Sequence, residues 1–305
     1  MAMNPVRIGT RGSRLALWQA GYVAERLRPL AKGRPVELVE IQTAGDQVRD
    51  VPLPQIGGEG VFTKEIQRAL LAGTVDVAVH SLKDLPTLEV PGLLLVAVPP
   101  RGPAGDVFVS RRHHRFDDLP SGAVIATSSL RRRAQARNRR PDLRLVNIRG
   151  NVETRLRKLV DEDLDGLILA QAGLERLGLG EAIREVLDPG WMLPAVGQGA
   201  LGLECRAGDH AARALVEALD HGPTRQAVRA ERALLRALGG GCQVPIGAWT
   251  SVSGETLSLR GAVLTPDGCQ RIEGQMVSSI GEAETLGQQL AEALRKRGAG
   301  ELLQT

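Results

Sequence analysis

The chain has 305 residues, 43% of them hydrophobic, a net charge of +4 and three cysteines, enough length for two or three cored domains. No apolar run approaches the ~20 residues of a membrane span, and Met1–Gly12 alternates like a strand instead of building a signal-peptide core. The expected location is therefore cytoplasmic, and three widely spaced cysteines suit a reducing compartment and offer neither a disulfide framework nor a zinc motif.

A short apolar strand, a polar or arginine-bearing turn and an amphipathic helix recur along the chain. Val6–Thr10 runs into Arg11-Gly12-Ser13, where Ser13 is placed to cap a helix through Leu27. Val36–Gln42 is the next expected strand. Phe62, Ile66, Ala69 and Leu70 make a helical stripe, with strands to follow at Val75–His80 and Leu93–Val98. Beyond the hinge-like Pro99-Pro100-Arg101-Gly102-Pro103 come strands at Val124–Thr127, Leu145–Arg149 and Leu167–Gln171, and a helix over Val152–Val160. A second crossing at Leu193–Gly202 returns the chain to the first lobe near Leu201–Cys205. From Gly222 the pattern changes to a helix over Pro223–Leu238, strands around the turns Ser253-Gly254 and Pro266-Asp267-Gly268, and a final helix over Glu282–Arg297. This order implies an α/β protein with mostly parallel sheets in two lobes and a small C-terminal α+β domain. The expected domains are 1–99 with 200–217, 105–193, and 222–305.

Charge is unevenly placed. Between Asp106 and Val160 fourteen cations face five acids, a local +9 within an overall +4. A field of that size implies an anionic ligand. In open α/β sheets ligands collect at the carboxyl ends of strands, where helix N-termini present N–H groups. Those turns carry Arg11 and Ser13, then Thr127, Ser129, Arg131 and Arg132, then Arg149 and Arg155. Several arginines together suit a polycarboxylate or a polyphosphate; the competing account is solvated salt bridges worth about 0–1 kcal/mol each, preferred for Arg137, Arg139 and Arg140. Nucleic acid is disfavoured, because one Tyr, three Phe and three Trp supply few stacking platforms, although contact through the phosphate backbone alone stays open.

Two further features carry chemistry. Ser81-Leu82-Lys83-Asp84 ends a strand, and a carboxylate beside a lysine there is either an acid–base or cation-stabilising group or simply a turn. Gly239-Gly240-Gly241-Cys242 stops a helix and clears space around a thiol. Cys242 is then a nucleophile in an arginine-rich setting or an ordinary buried cysteine like Cys205 and Cys269.

Taken together these segments resemble the hydroxymethylbilane synthase, or porphobilinogen deaminase, family. The matching runs are Ile8–Ser13 with Leu15-Ala16, Gly57-Gly58 through Phe62–Glu65, His80–Pro86, Thr127–Arg132, Asn147–Val152, Arg155-Leu156, Ala195–Leu201 and Gly240–Pro245, in family order across nearly the whole chain. The resemblance implies two periplasmic-binding-protein-like lobes with the active site between them, and a dipyrromethane cofactor joined by a thioether to Cys242. It implies stepwise condensation of four porphobilinogen molecules with loss of ammonia, then hydrolytic release of the linear tetrapyrrole, by a monomer that uses neither nucleic acid nor membrane.

Carried over by position, Asp84 is the catalytic carboxylate, steadying positive charge on the pyrrole rings. Ser81, Lys83, Thr127, Ser129, Arg131, Arg132 and Arg155 hold the cofactor. Arg11, Ser13, Phe62, Arg149, Arg176 and Gln198 meet substrate. No metal is implied. One departure stands out: where many relatives carry lysines before Phe62, this chain has Gln55 and Glu59. Those contacts are therefore not carried over to the glycine-rich 43–60 segment. The alternative from another class is a non-catalytic two-lobed protein that binds carboxylates or phosphates.

Overall fold

The computed structural model describes residues 4–47, 60–240 and 244–303. Two compact units result, one of residues 1–102 with 200–225 and the other of residues 103–199 with 226–305.

The first unit opens with β1 (Val6–Thr10) and α1 (Arg14–Leu27), then β2 (Val36–Glu40), the short α2 (Ala44–Gln47), α3 (Lys64–Leu71), β3 (Val77–Ser81) and β4 (Leu93–Ala97). Ser13 caps α1 as expected, its Oγ accepting the Ala16 N–H at 3.3 Å. β1 pairs in parallel with β2, from Val6 opposite Val36 to Thr10 opposite Glu40, and with β3 on its other side. The core lies between α1 and the sheet, where Ile8, Val77, Leu203, Val23 and Leu27 are buried.

The second unit contains β5 (Asp106–Val109), β6 (Val124–Ala126), α4 (Leu130–Arg139), β7 (Arg144–Val146), α5 (Val152–Asp161), β8 (Gly166–Ala170), α6 (Gln171–Arg176) and β9 (Ile183–Val186). The chain then adds β10 (Leu201–Arg206) to the first sheet, followed by α7 (His210–Glu217) and α8 (Gly222–Ala237). The two five-stranded sheets share one plan. Their orders are β2-β1-β3-β10-β4 and β7-β6-β8-β5-β9. In each, the fourth strand runs antiparallel to both neighbours, so four of five strands point the same way.

The C-terminal domain is an antiparallel sheet of β11 (Ile246–Ser253), β12 (Thr256–Leu264) and β13 (Arg271–Ser279), followed by α9 (Ala283–Lys296) and α10 (Ala299–Leu302). Leu234 of α8, Leu257 and Leu259 of β12, and Leu286, Leu290 and Leu294 of α9 form its core. Gly247 passes close against Leu193, whose carbonyl oxygen would lie 2.8 Å from any Cβ added there. No helix among the described residues is long and apolar enough to cross a membrane.

The expected elements are found with shifted ends, and two strands were not foreseen. β5 begins at an acid that composition counts only as charge, and β9 is a half-exposed edge strand without clean alternation. The strand expected at Leu145–Arg149 stops at Val146 because Ser128 takes over the Ile148 backbone, accepting its N–H at 3.1 Å and donating to its carbonyl.

Candidate active site

In the first unit the carboxyl ends of β1 and β3 lie side by side, since the strands are parallel neighbours with Ile8 opposite Val77. β1 delivers Arg11 and Ser13. β3 delivers Ser81 and passes into a single 3-10 turn, Leu82–Asp84. Leu82 and Leu85 are buried at 1% and 5% exposure, which leaves Lys83 and Asp84 as the half-buried residues of that turn. Among the described residues no donor engages the Asp84 carboxylate, so it is positioned by backbone and not by an ion pair.

Its neighbours are more committed. Ser81 Oγ accepts Gln19 Nε2 at 2.9 Å and donates to Gln19 Oε1 at 3.1 Å. The Arg11 guanidinium lies 4.1 Å from the centre of the Phe62 ring, close enough for a cation–π contact. Phe62 in turn sits on Gly45, where a Cβ would collide with the ring. Expected to meet substrate, Phe62 thus also supports Arg11.

Beneath this surface is a buried polar group that sequence reasoning missed. His80 and Glu204 are 3% and 5% exposed, and Nε2 of one lies 3.0 Å from Oε2 of the other. Gln67 Nε2 donates to the same carboxylate at 3.0 Å. The strand register places His80 and Glu204 on one face of adjacent strands, Gly202 facing His80 and Glu204 facing Ala78. The group ties α3 to β10 beside β3, the strand that leads into the Asp84 turn.

In the second unit β6, β7 and β8 are parallel neighbours whose carboxyl ends feed α4, α5 and α6. Ser129 caps α4 by accepting the Arg132 N–H at 3.4 Å, and Thr127 Oγ1 accepts the Ser129 N–H at the same distance. Asn151 caps α5, accepting the Thr154 N–H at 2.8 Å. Arg155 Nε donates to the Gly150 carbonyl at 2.9 Å, and Arg176 Nη2 to the Gly199 carbonyl at 2.6 Å. Arg149 is half-buried in the turn between β7 and α5.

The strongest electrostatic feature is a buried triad. Asp106 is fully buried at the head of β5, with Arg131 and Arg132 at 4% and 6% exposure around it. Arg131 Nη1 donates to Asp106 Oδ2 at 2.6 Å, and Arg132 Nη2 donates to Oδ1 at 2.7 Å. Gln198 Nε2 adds a bond to Oδ1 at 2.8 Å and reaches the Ala104 and Gly105 carbonyls. Burial alone would raise the Asp106 carboxyl, but the two guanidiniums outweigh it and hold it well below the usual carboxylate range. Burial also pulls Arg131 down from its usual value, against the attraction of Asp106. The outer arginines behave differently: Arg139 pairs with exposed Asp117 at 2.7 Å, the solvated bridge expected of it, while Arg140 is half-buried, pairing with Asp142 at 2.8 Å and donating to the Leu119 carbonyl at 2.8 Å.

In the C-terminal domain Glu231 of α8 is fully buried. It accepts the Gly197 N–H at 2.7 Å and the Thr250 hydroxyl at 2.6 Å, so the turn carrying Gln198 is anchored to that domain. Cys205 is buried in the first sheet, and desolvation, helped by Asp209, pushes its thiol up to about 12. Cys269 is exposed. Cys242, Gln55 and Glu59 lie outside the described residues.

The sequence profile described as "Porphobilinogen deaminase, dipyromethane cofactor binding domain" matches residues 6–214, and "Porphobilinogen deaminase, C-terminal domain" matches 225–296. The chain is 52% identical over 303 residues to the porphobilinogen deaminase of Syntrophotalea carbinolica, spanning 99% of this chain and 96% of that one. It is 50% identical to the porphobilinogen deaminase of Geobacter sulfurreducens over 99% of this chain and 95% of the relative. The porphobilinogen deaminase of Pelotomaculum thermopropionicum is likewise 50% identical, over 98% and 96%. The chain belongs to the porphobilinogen deaminase family.

A dipyrromethane is a two-ring molecule with carboxylate arms, and the second unit suits it. The triad holds two guanidiniums against one carboxylate. Among the described residues, Arg131 donates only through Nη1, leaving its Nε and Nη2 edge for another acceptor. A guanidinium edge of that kind matches a carboxylate in bidentate fashion.

Proposed function

We propose that this chain is a hydroxymethylbilane synthase that works with Asp84 as its catalytic carboxylate and Cys242 as the thioether anchor of its dipyrromethane. The reaction joins four porphobilinogen molecules head to tail, releases ammonia at each step, and frees the linear tetrapyrrole by hydrolysis. When bound, the dipyrromethane supplies the pyrrole carbon to which the first incoming ring is joined.

The protein's part is electrostatic and positional. Each ring brings carboxylate arms, and Arg131, Arg149, Arg155 and Arg176, with the hydroxyls of Thr127 and Ser129, provide matching donors in the second unit, while Arg132 contributes its charge beside Arg131 through Asp106. Arg11, Ser13, Ser81 and Lys83 do so in the first unit, with Phe62 beside Arg11 and Gln198 beside Arg132. Asp84 accepts pyrrole N–H groups and stabilises the positive charge that develops on the rings as ammonia leaves, the kind of preorganised interaction that strengthens as charge builds. The single observation that carries this account is the half-buried Asp84, set in the 3-10 turn that follows β3, in a chain that matches the family over nearly its whole length.

On this account the three-domain division is kept, with 222–305 carrying Cys242, and the enzyme acts as a cytoplasmic monomer without nucleic-acid or membrane partners. The test is a turnover assay with porphobilinogen that measures ammonia and tetrapyrrole together. Four ammonia per tetrapyrrole supports it. Binding of porphobilinogen without ammonia release would favour a passive carboxylate-binding protein.

A further inference from the structure

We propose that Asp106 is a positioning residue for the cofactor, holding Arg131 and Arg132 so that one guanidinium edge faces a carboxylate arm. The inference rests on the function proposed above.

Three observations carry it. First, the Asp106 carboxylate is fully buried and engaged at both oxygens: Oδ1 accepts Arg132 Nε at 3.0 Å, Arg132 Nη2 at 2.7 Å and Gln198 Nε2 at 2.8 Å, while Oδ2 accepts Arg131 Nη1 at 2.6 Å. Buried behind two guanidiniums, Asp106 acts through its neighbours. Second, the two arginines are used unequally. Arg132 is committed through all three nitrogens, its Nη1 reaching the Ile168 carbonyl at 3.2 Å and its Nη2 Gln198 Oε1 at 3.3 Å. Among the described residues Arg131 is held only at Nη1, by Asp106, by the Leu193 carbonyl at 2.5 Å and by Met192 Sδ at 3.9 Å, and its Nε and Nη2 edge has no acceptor. Third, the charges do not cancel. Two guanidiniums share one carboxylate in a buried place, and like charges so close repel unless an anion lies between or beside them. Asp106 is that anion in the chain itself; a ligand carboxylate on the Nε and Nη2 edge of Arg131 completes the neutralisation.

Loss of the Asp106 charge therefore lowers affinity for the ligand, even though it leaves more positive charge behind. An asparagine amide would turn N–H donors toward a guanidinium that is itself only a donor, and Arg131 would lose its fixed direction.

The experiment compares full-length wild type, Asp106→Asn, Asp106→Glu and the adjacent core variant Val107→Ala. Intact mass gives the fraction carrying the two-pyrrole adduct, and melting temperature gives stability. The expected result is at least a tenfold lower adduct fraction in Asp106→Asn, substantial recovery in Asp106→Glu, and full loading in Val107→Ala despite a lowered melting temperature. Full loading of Asp106→Asn would overturn the proposal. So would a loss in Val107→Ala that tracks melting temperature in step with the Asp106 variants. If Asp106→Asn fails to accumulate, Asp106→Glu and Val107→Ala decide it: loaded Asp106→Glu at a reduced melting temperature supports the role, and loss in step with Val107→Ala removes it. An active wild type that carries no adduct would sink the cofactor assignment itself, whereas a loaded wild type beside a loaded Asp106→Asn would sink only this inference.

Discussion

His80 Nε2 lies 3.0 Å from Glu204 Oε2, with both side chains almost completely buried, four residues upstream of Asp84 on the strand that carries it. A buried carboxylate that loses its partners, or partners that lose their carboxylate, leave polar atoms unsatisfied in a low-dielectric interior. Glu204→Ala, which strands the buried Gln67 amide, is therefore expected to lower folding stability by about 1–3 kcal/mol, while Glu204→Gln, which keeps an acceptor for Gln67, costs less. Urea denaturation of the two variants checks the order. Equal stability of Glu204→Ala and wild type would show that the buried group contributes nothing.

Asp84→Asn removes a negative charge where positive charge is expected to grow, while keeping a similar shape. Removal of one preorganised electrostatic group typically lowers kcat by about 10²–10³-fold, and a loss of at least that order is predicted, with adduct content unchanged. Steady-state kinetics together with intact mass separates the two effects. Ordinary ammonia release by Asp84→Asn would take this residue out of the mechanism.

The thiols give a prediction that needs no substrate. The chain has three cysteines. Cys205 is fully buried with its thiol pushed up to about 12, so it stays unreactive in the native fold. Cys269 is exposed. With Cys242 tied up as a thioether, a thiol reagent should titrate only Cys269 in native protein, and both Cys205 and Cys269 once the protein is unfolded. Three reactive thiols in the unfolded protein would mean that no thioether is present.

Acid stability follows from the depressed carboxyls. Asp106 lies below its usual range because two guanidiniums overcome its burial, and Asp76 does so because Arg7 and Arg206 overcome its own. For a group whose folded value is depressed, the stabilisation is complete above the unfolded value, about 4 for a carboxyl, and is lost as pH falls through the folded one. The urea midpoint is thus expected to fall below about pH 4. Asp76→Asn should lower the midpoint at neutral pH and flatten that acid slope. An unchanged slope in Asp76→Asn would show that Asp76 is not one of the groups responsible.

Much of this arrangement was legible in the sequence because it depends on local signals. Ser13 caps its helix as expected from the neighbouring residues, and Ser129 and Asn151, not singled out as caps, do the same by the same local chemistry. The arginines at strand ends were visible for the same reason. Their partners were not. Asp106 meets Arg131 and Arg132 from 25 and 26 residues away, and Glu204 meets Gln67 from 137 residues away, distances that local periodicity does not span. A signal for Asp106 did exist, since an acid heading the apolar run Val107-Phe108-Val109 within an arginine-rich stretch suggests a buried counter-charge. Hydroxyls carried over as ligand groups also have local duties: Ser13 and Ser129 cap helices, and Ser81 is paired with Gln19.

The central claim is that a two-ring pyrrole primer is built onto this protein through one sulfur, and intact-protein mass tests it most directly. The prediction is a purified protein heavier than its sequence by two linked pyrrole units, an excess that Cys242→Ser abolishes together with activity. A fully active protein at the bare sequence mass would contradict it.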